Sequence, residues 1–183
     1  MNLIINIFLT GKIHVGKSTI INKLLADYSG SVGGFRTLPF FQQGRLNGFY
    51  FVPLLKELVP KELPFIGRCL EDDSWEGYHA VFDHFGTRVL NACLQHPAGL
   101  CIMDELGFFE SNAEQFQKKV FEVLNSQIPV LGVIKQADNA FLNAIRIRGD
   151  VEIITVTEGN RDKLYRALVE RGDISCLSGR RKI

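Results

Sequence analysis

Short apolar runs alternate along the chain with longer segments in which apolar residues recur every three or four positions. A short run bounded by turn residues is typical of a strand buried on both faces, and the longer spacing is typical of a helix with one buried face. The runs predict strands at 3–9, 32–37, 99–103, 129–134 and 151–156. The spaced segments predict helices at about 17–28, 81–94, 111–124, 139–147 and 160–170.

Buried strands that alternate with helices predict an α/β fold with three layers, in which a mainly parallel sheet carries helices on both faces. At 183 residues the chain is long enough for one sizeable core. We therefore expect a single domain over residues 1–183 that ends in a C-terminal tail, 172–183. Ser111 and Glu114 have the spacing of a capping box, which predicts the start of the helix at 111–124.

The segment 38–78 fits poorly into a regular layer because it contains several prolines and glycines. We interpret it as a β-hairpin or lid inserted into the fold. Asn47-Gly48 lies between two strand-like pieces, and this dipeptide predicts the hairpin turn.

The composition limits the partners. The 21 Lys and Arg residues nearly balance the 20 Asp and Glu residues, so we expect no nucleic-acid surface. No apolar run is long enough to predict a membrane span. The cysteines show no metal-ligand spacing and are typical of a reducing compartment; they are Cys69, Cys93, Cys101 and Cys176. We expect a cytoplasmic monomer.

The loop after the first strand has the spacing Gly-x-x-x-x-Gly-Lys-Ser, which is typical of a phosphate-binding loop between a strand and a helix. Its backbone amides and the helix N-terminus favour an anion. Lys17 would reach the β- and γ-phosphates of a nucleotide, and the Ser18 hydroxyl would ligate Mg²⁺. The predicted nucleotide-binding residues are Gly11, Lys12, Ile13, His14, Val15, Gly16, Lys17, Ser18 and Thr19.

Two acids follow the strand at 99–103. Asp104 is predicted to approach Mg²⁺ at the carboxyl edge of the sheet, and Glu105 to polarise a water for attack on the γ-phosphate. Asp104 and Gly107 also match the D-x-x-G motif of GTP-dependent switch proteins. The segment Ile134 to Asp138 lacks the N-K-x-D motif that reads guanine, so guanine specificity by that route is not predicted.

Four arginines near predicted loops or helix ends are candidates for neutralising transition-state charge: Arg36, Arg45, Arg146 and Arg148. Asn160 and Arg161 follow the last strand, where a nucleobase could lie. Two interpretations stay open for this pair, namely base binding and capping of the last helix by Asn160.

Several separated motifs resemble a P-loop nucleoside-triphosphatase family that includes the human cancer-related enzyme and its thermophile relatives. The similar segments are "GKIHVGKSTIINKLL", "GGFRT" with "GRLNGF", "CIMDELGFFE", "PVLGVI" and "DVEIITVTEGNRDKL". The resemblance implies a P-loop sheet with strand order 5-1-4-3-2 and Mg²⁺-dependent hydrolysis of several nucleoside triphosphates.

The chain departs from this family pattern in three places. Lys12, Ile13 and His14 replace the small and proline residues usual in the loop, and Phe108 stands where lysine is common. The segment 39–43 lacks the charges expected between the two Gly-Phe motifs.

Hydrolysis of nucleoside triphosphates is the predicted function, and two alternatives remain. A nucleotide or small-molecule kinase would close residues 38–78 over a phosphate acceptor. Kinase lids usually carry several arginines, and this segment contains only Arg45 and Arg68. A nucleotide-dependent regulatory switch would present exposed apolar groups to a partner protein.

Overall fold

The computed structural model describes residues 6–96 and 98–171. The strands are β1 (Asn6–Thr10), β2 (Val32–Gln42), β3 (Arg45–Pro53), β4 (Phe65–Cys69), β5 (Trp75–Gly77), β6 (Leu100–Leu106), β7 (Val130–Ile134) and β8 (Val151–Thr155). The α-helices are α1 (Lys17–Asp27), α2 (His79–Val81), α3 (Thr87–Gln95), α4 (Glu114–Leu124), α5 (Ala140–Arg146) and α6 (Arg161–Arg171). The predicted strand residues 3–5, the tail 172–183 and Cys176 lie outside the described residues.

All eight strands form one sheet in the order β5-β4-β3-β2-β6-β7-β1-β8. The order 5-1-4-3-2 implied by the resemblance lists five strands and does not describe this sheet. The mutually parallel strands lie in the order β8-β1-β7-β6-β2, and the antiparallel strands β3, β4 and β5 extend the sheet beyond β2. These antiparallel strands come from the segment 38–78. This segment continues the sheet, so its backbone groups form hydrogen bonds with neighbouring strands.

The hairpin between β2 and β3 turns at Gln43 and Gly44, so the turn predicted at Asn47-Gly48 is wrong. Gln43 has φ 50° and Gly44 has φ 79°. Positive φ at both central residues is what a two-residue turn of this twist requires. Gly48 instead lies inside β3, where it is paired with Phe40 of β2 and with Arg68 of β4.

Helices cover both faces of the sheet, as predicted. On one face α1 and α6 pack against alternate residues of the parallel strands, among them Ile7, Leu9 and Ile102. On the other face α3, α4 and α5 pack against the residues between them, among them Phe8 and Met103. The alternation follows from the two-residue period of a strand, which gives each face its own apolar set.

Two helix predictions differ from the structure. The segment predicted as one helix from Val81 contains a π-helical turn at Phe82–Gly86 between α2 and α3. The capping box predicted at Ser111 is wrong, because α4 begins at Glu114 and its first amides are capped from another segment. Asp83 accepts hydrogen bonds from the amides of Gln115 (2.9 Å) and Phe116 (3.1 Å).

None of the described helices has the length and hydropathy needed to cross a membrane. Among the described cysteines, Cys93 and Cys101 are buried free thiols in the core, and Cys69 is a half-buried free thiol.

The close approach of β2 to β6 predicts a large effect of Gly34→Ala on stability. Gly34 has φ 90°, and a Cβ atom there would lie 2.0 Å from the carbonyl oxygen of Ile102 in β6. The added methyl must move the strands apart in an unfavourable backbone conformation, so we expect a loss of on the order of 3 kcal/mol in the free energy of unfolding. Urea denaturation measures it.

Gly149→Ala is the matched control. Nothing lies within 4 Å of a Cβ atom at Gly149, and we expect a change of less than about 0.5 kcal/mol. Equal stability of the two variants would contradict the close approach.

Candidate active site

The phosphate loop connects β1 to α1 and curls tightly. Gly11, His14 and Gly16 have positive φ values of 133°, 65° and 107°. Gly11 passes so close to Val156, the residue after β8, that a Cβ atom would lie 2.4 Å from its carbonyl oxygen. Repeated left-handed positions turn successive amides toward a common centre, which is the geometry of an anion-binding loop.

Lys17, the first residue of α1, lies across this loop. Its Nζ donates hydrogen bonds to the carbonyl oxygens of Gly11 (2.9 Å) and Lys12 (2.7 Å). Burial lowers the pKa of Lys17, while the charges of Glu105 and Asp104 act in the opposite direction. The loop lysine and the two predicted acids are therefore close enough to interact, although about 90 residues separate them in the sequence.

Ser18 and Thr19 follow Lys17 in the first turn of α1 and are exposed. No side chain accepts a hydrogen bond from the N-terminal amides of α1 in the capping position. The positive end of this helix therefore faces the mouth of the loop.

Asp104 lies at the carboxyl end of β6 and is 4% exposed. The Nε of Arg36, from the neighbouring strand β2, is 3.2 Å from its Oδ2. The same guanidinium donates through NH1 to Oδ1 of Asn22 on α1 at 2.6 Å. Burial raises the pKa of Asp104 to about 6, and the Arg36 charge opposes the rise.

The residues at this edge fit a magnesium ion. Asp104 and Ser18 offer carboxylate and hydroxyl oxygens, which are ligands that Mg²⁺ prefers. Arg36 links Asp104 to Asn22 on α1, the helix that carries Ser18. The described residues contain no cluster of three His, Cys, Asp or Glu side chains that could enclose a metal.

Glu105 forms an ion pair with Lys135, with 3.1 Å between Oε1 and Nζ. Lys135 directly follows β7, and its ammonium lies 4.8 Å from the ring centroid of Phe108. Sequence reasoning missed Lys135 as a site residue. Its one signal was its position immediately after a buried strand, where the side chain reaches the same edge as Asp104 and Glu105.

Glu110 is a second residue that sequence reasoning missed, and its carboxyl is the third at this edge after Asp104 and Glu105. It is 1% exposed and accepts a hydrogen bond from the amide of Gly107. Burial raises the pKa of Glu110 to about 7. This side chain lines the same small cavity as Glu105 and Lys135, so it shapes the segment that follows the two acids.

Among the four candidate arginines, the structure brings Arg36 to the acids. Arg45 forms an ion pair with Asp73, and both side chains are exposed. Arg146 donates to Asn143 and to the carbonyl oxygen of Lys135. Arg148 forms an ion pair with Asp150.

Asn160 and Arg161 occupy the turn between β8 and α6. The Asn160 side chain accepts from the amide of Thr157 (2.8 Å) and donates to the carbonyl oxygen of Thr155 (2.9 Å). Both partners precede it, so this side chain stabilises the turn and does not cap the first amides of α6. The capping interpretation is therefore wrong in that form.

Arg161 packs against the phosphate loop, since its Cδ lies 3.2 Å from the position of a Cβ atom on Gly16. A cavity beside it runs between α1 and α6 and is lined by Thr19, Lys23 and Tyr165, among others. Gly16 of the loop and Arg161 both line this cavity, which therefore adjoins the phosphate loop.

A family model described as NTPase matches residues 6–169. The nucleoside-triphosphatase THEP1 of Thermotoga petrophila is 31% identical over 170 residues, which cover 89% of this chain and 90% of the relative. A cancer-related nucleoside-triphosphatase homolog from Bos taurus is 33% identical over 186 residues, covering 90% of this chain and 94% of the relative.

The solution structure of a human cancer-related nucleoside triphosphatase superimposes with a TM-score of 0.69 and 26% identity, covering 97% of this chain and all of the other. The fold, the motifs and the similar proteins thus all indicate the same family, and the matches cover most of the described residues. The chain belongs to the NTPase family.

Proposed function

We propose that the protein hydrolyses nucleoside 5′-triphosphates to the diphosphate and phosphate. The observation that carries the proposal is the meeting of the phosphate loop with Asp104 and Glu105 at one edge of the sheet. β1, which leads into the loop, and β6, which carries both acids, run parallel on either side of β7, and the charges of both acids oppose the lowering of the pKa of the loop lysine, Lys17. The names of the relatives, nucleoside-triphosphatases from bacteria and cattle, support the same reaction.

The loop amides and Lys17 bind the phosphates. Lys17 exchanges the carbonyl oxygens of Gly11 and Lys12, which it contacts now, for oxygens of the β- and γ-phosphates. The exchange is favourable because an ionised oxygen is a stronger hydrogen-bond acceptor than a neutral carbonyl.

Ser18 and Asp104 are the residues that would hold Mg²⁺. When bound, the ion neutralises charge on the β- and γ-phosphate oxygens. Burial suits Asp104 to this role, because a carboxylate with little access to water gains most from a cation.

Glu105 orients the attacking water and accepts its proton. The water oxygen forms a new bond to the γ-phosphorus, the bond from that phosphorus to the bridging oxygen breaks, and the nucleoside diphosphate leaves. Arg36 is the arginine that we assign to the developing negative charge, because it already lies beside Asp104.

The nucleobase lies beside Arg161 at the end of the cavity between α1 and α6. A guanidinium plane stacks on any purine or pyrimidine, so this contact selects weakly among bases. That matches an enzyme that accepts several nucleotides, with ATP and GTP among them.

The two alternatives receive less support. Residues 38–78 continue the sheet as β3, β4 and β5, and the relatives are named neither kinases nor switches. A cytoplasmic monomer remains our proposal for the working state, on the grounds of the near-neutral charge and the cysteine content.

Glu105→Gln tests the hydrolytic role. The amide keeps the size and one acceptor oxygen but cannot accept the proton, so we expect kcat for phosphate release from ATP to fall by about 10²- to 10⁴-fold. Nucleotide affinity in the presence of Mg²⁺ should stay near wild type.

The control for Glu105→Gln is Glu122→Gln, which changes an exposed carboxylate on α4. Hydrolysis by Glu105→Gln at the wild-type rate would show that Glu105 does not activate water. Phosphate transfer that appears only when a nucleoside acceptor is added would support the kinase alternative.

Arg36→Ala should lower kcat by on the order of 10³-fold, the smaller effect known for an arginine that stabilises phosphoryl transfer. Arg45→Ala is the matched control and should leave kcat unchanged, because Arg45 pairs with the exposed Asp73 near the hairpin turn. Steady-state phosphate release measures both. A normal kcat in Arg36→Ala, with only stability reduced, would restrict Arg36 to balancing the Asp104 charge.

Arg161→Ala should raise KM for ATP, GTP, CTP and UTP alike, by about tenfold, because loss of a stacking contact removes binding energy from every base. Lys163→Ala, an exposed cation two residues further along α6, is the control. A KM change confined to one nucleotide would contradict the stacking assignment.

A further inference from the structure

We propose that Lys135 is a positioning residue, which holds the Glu105 carboxylate in the orientation that water activation needs. The inference rests on the proposed function, because it assigns a partner to the group that accepts the proton. Lys135 is not part of the phosphate loop or of the acidic pair.

The ion pair between the two side chains is direct and half-buried. Nζ of Lys135 lies 3.1 Å from Oε1 of Glu105, with the lysine side chain 28% exposed and the glutamate side chain 25% exposed. An ion pair in this environment is screened less by water and salt than a surface pair. The contact is therefore able to restrict the carboxylate.

The backbone of Lys135 is held on both sides. Its amide donates to the carbonyl oxygen of Leu106 at 2.9 Å, and its carbonyl oxygen accepts a hydrogen bond from Arg146. The stem packs against Gly107, where an added Cβ atom would lie 2.9 Å from Cδ of Lys135. These contacts tie Lys135 to the segment that immediately follows Glu105.

Aromatic rings surround the ammonium group. Nζ lies 4.8 Å from the ring centroid of Phe108, 5.7 Å from that of Phe49 and 5.9 Å from that of Phe109. Each ring face attracts a cation, and together the rings reduce the access of water to the ion pair. Phe108 thus contributes a surface for a lysine from another segment.

The ion pair with Lys135 restricts the orientation of the Glu105 carboxylate. Lys135 engages Oε1, so the plane of the carboxylate and the direction of its second oxygen are restricted. Lys135 also carries a positive charge close to Glu110 and Lys17. A positive charge here offsets the repulsion among Asp104, Glu105 and an arriving triphosphate.

Direct contact with the γ-phosphate is the other role open to a lysine here. The existing ion pair, the backbone hydrogen bonds and the rings all favour a residue that stays with Glu105. The two roles differ in whether Lys135 acts through Glu105, and this difference is measurable.

The first experiment compares three lysine variants. Lys135→Met keeps the length and removes the charge, and we expect kcat to fall about 10- to 100-fold, as for a displaced reacting group, with KM within twofold of wild type. Lys135→Arg keeps the charge and should recover most of kcat. Lys119→Met breaks the ion pair with Glu122 on α4 and should leave kcat and KM unchanged.

The second experiment is a double-mutant cycle with Glu105→Gln. If Lys135 acts through Glu105, Lys135→Met should slow the Glu105→Gln enzyme by less than about twofold, because the group that it positions is already disabled. Circular dichroism and thermal midpoints establish that the variants fold. If the Lys135→Met variant is unstable, Lys135→Gln, which keeps a polar group without the charge, replaces it in the double-mutant cycle.

The possible outcomes distinguish a failure of the positioning role of Lys135 from a failure of the proposed function. An equal loss of kcat from Lys135→Met in wild-type and Glu105→Gln enzymes would overturn the positioning role. A raised KM with unchanged kcat would also overturn it and indicate phosphate binding. Wild-type phosphate release by Glu105→Gln alone would contradict the water-activating role of Glu105. Absence of phosphate release from the wild-type enzyme would contradict the proposed function itself.

Discussion

Asp104 and Glu105 bring two carboxylates side by side at the end of β6, next to a loop whose geometry favours an anion. Like charges repel, and the repulsion grows where water is excluded; the charge of Glu105 accordingly acts with burial to raise the pKa of Asp104. Cations from three segments meet this constraint: Arg36 contacts Asp104, Lys135 contacts Glu105, and Lys17 lies in the field of both. The site is a balanced cluster of charges, so each cation affects how the acids bind, orient or react.

The lateral order of the strands makes this balance possible. β6 lies between β2 and β7, and all three run parallel, so their carboxyl ends meet at one edge of the sheet. Arg36 is paired in register with Asp104 across β2 and β6, and Lys135 follows β7. β1, on the other side of β7, brings the phosphate loop to the same edge. α/β proteins typically bind their ligands at this edge, in a crevice beyond the carboxyl ends of the parallel strands.

The incorrect predictions share a physical cause. Asn47-Gly48 is a strong local turn signal, yet the antiparallel pairing with both β2 and β4 places Gly48 inside a strand. Ser111 and Glu114 have the spacing of a capping box, yet Asp83 supplies the cap from a segment about 30 residues earlier. In both cases a partner distant in sequence satisfies the backbone groups that the local signal was expected to satisfy.

The α/β class, the buried parallel strands, the phosphate loop and the acidic pair were all predictable from the amino-acid sequence alone. These features depend on residue spacing within one segment, such as the strand period or the glycines that permit the curl of residues 11–18. Four arginines were equal candidates in the sequence, and Lys135 was not a candidate at all. The contacts of Arg36 with Asp104 and of Lys135 with Glu105 appear first in the tertiary structure. Charge partners are set by which strands lie side by side and in which register, and these long-range pairings leave no local pattern in the chain.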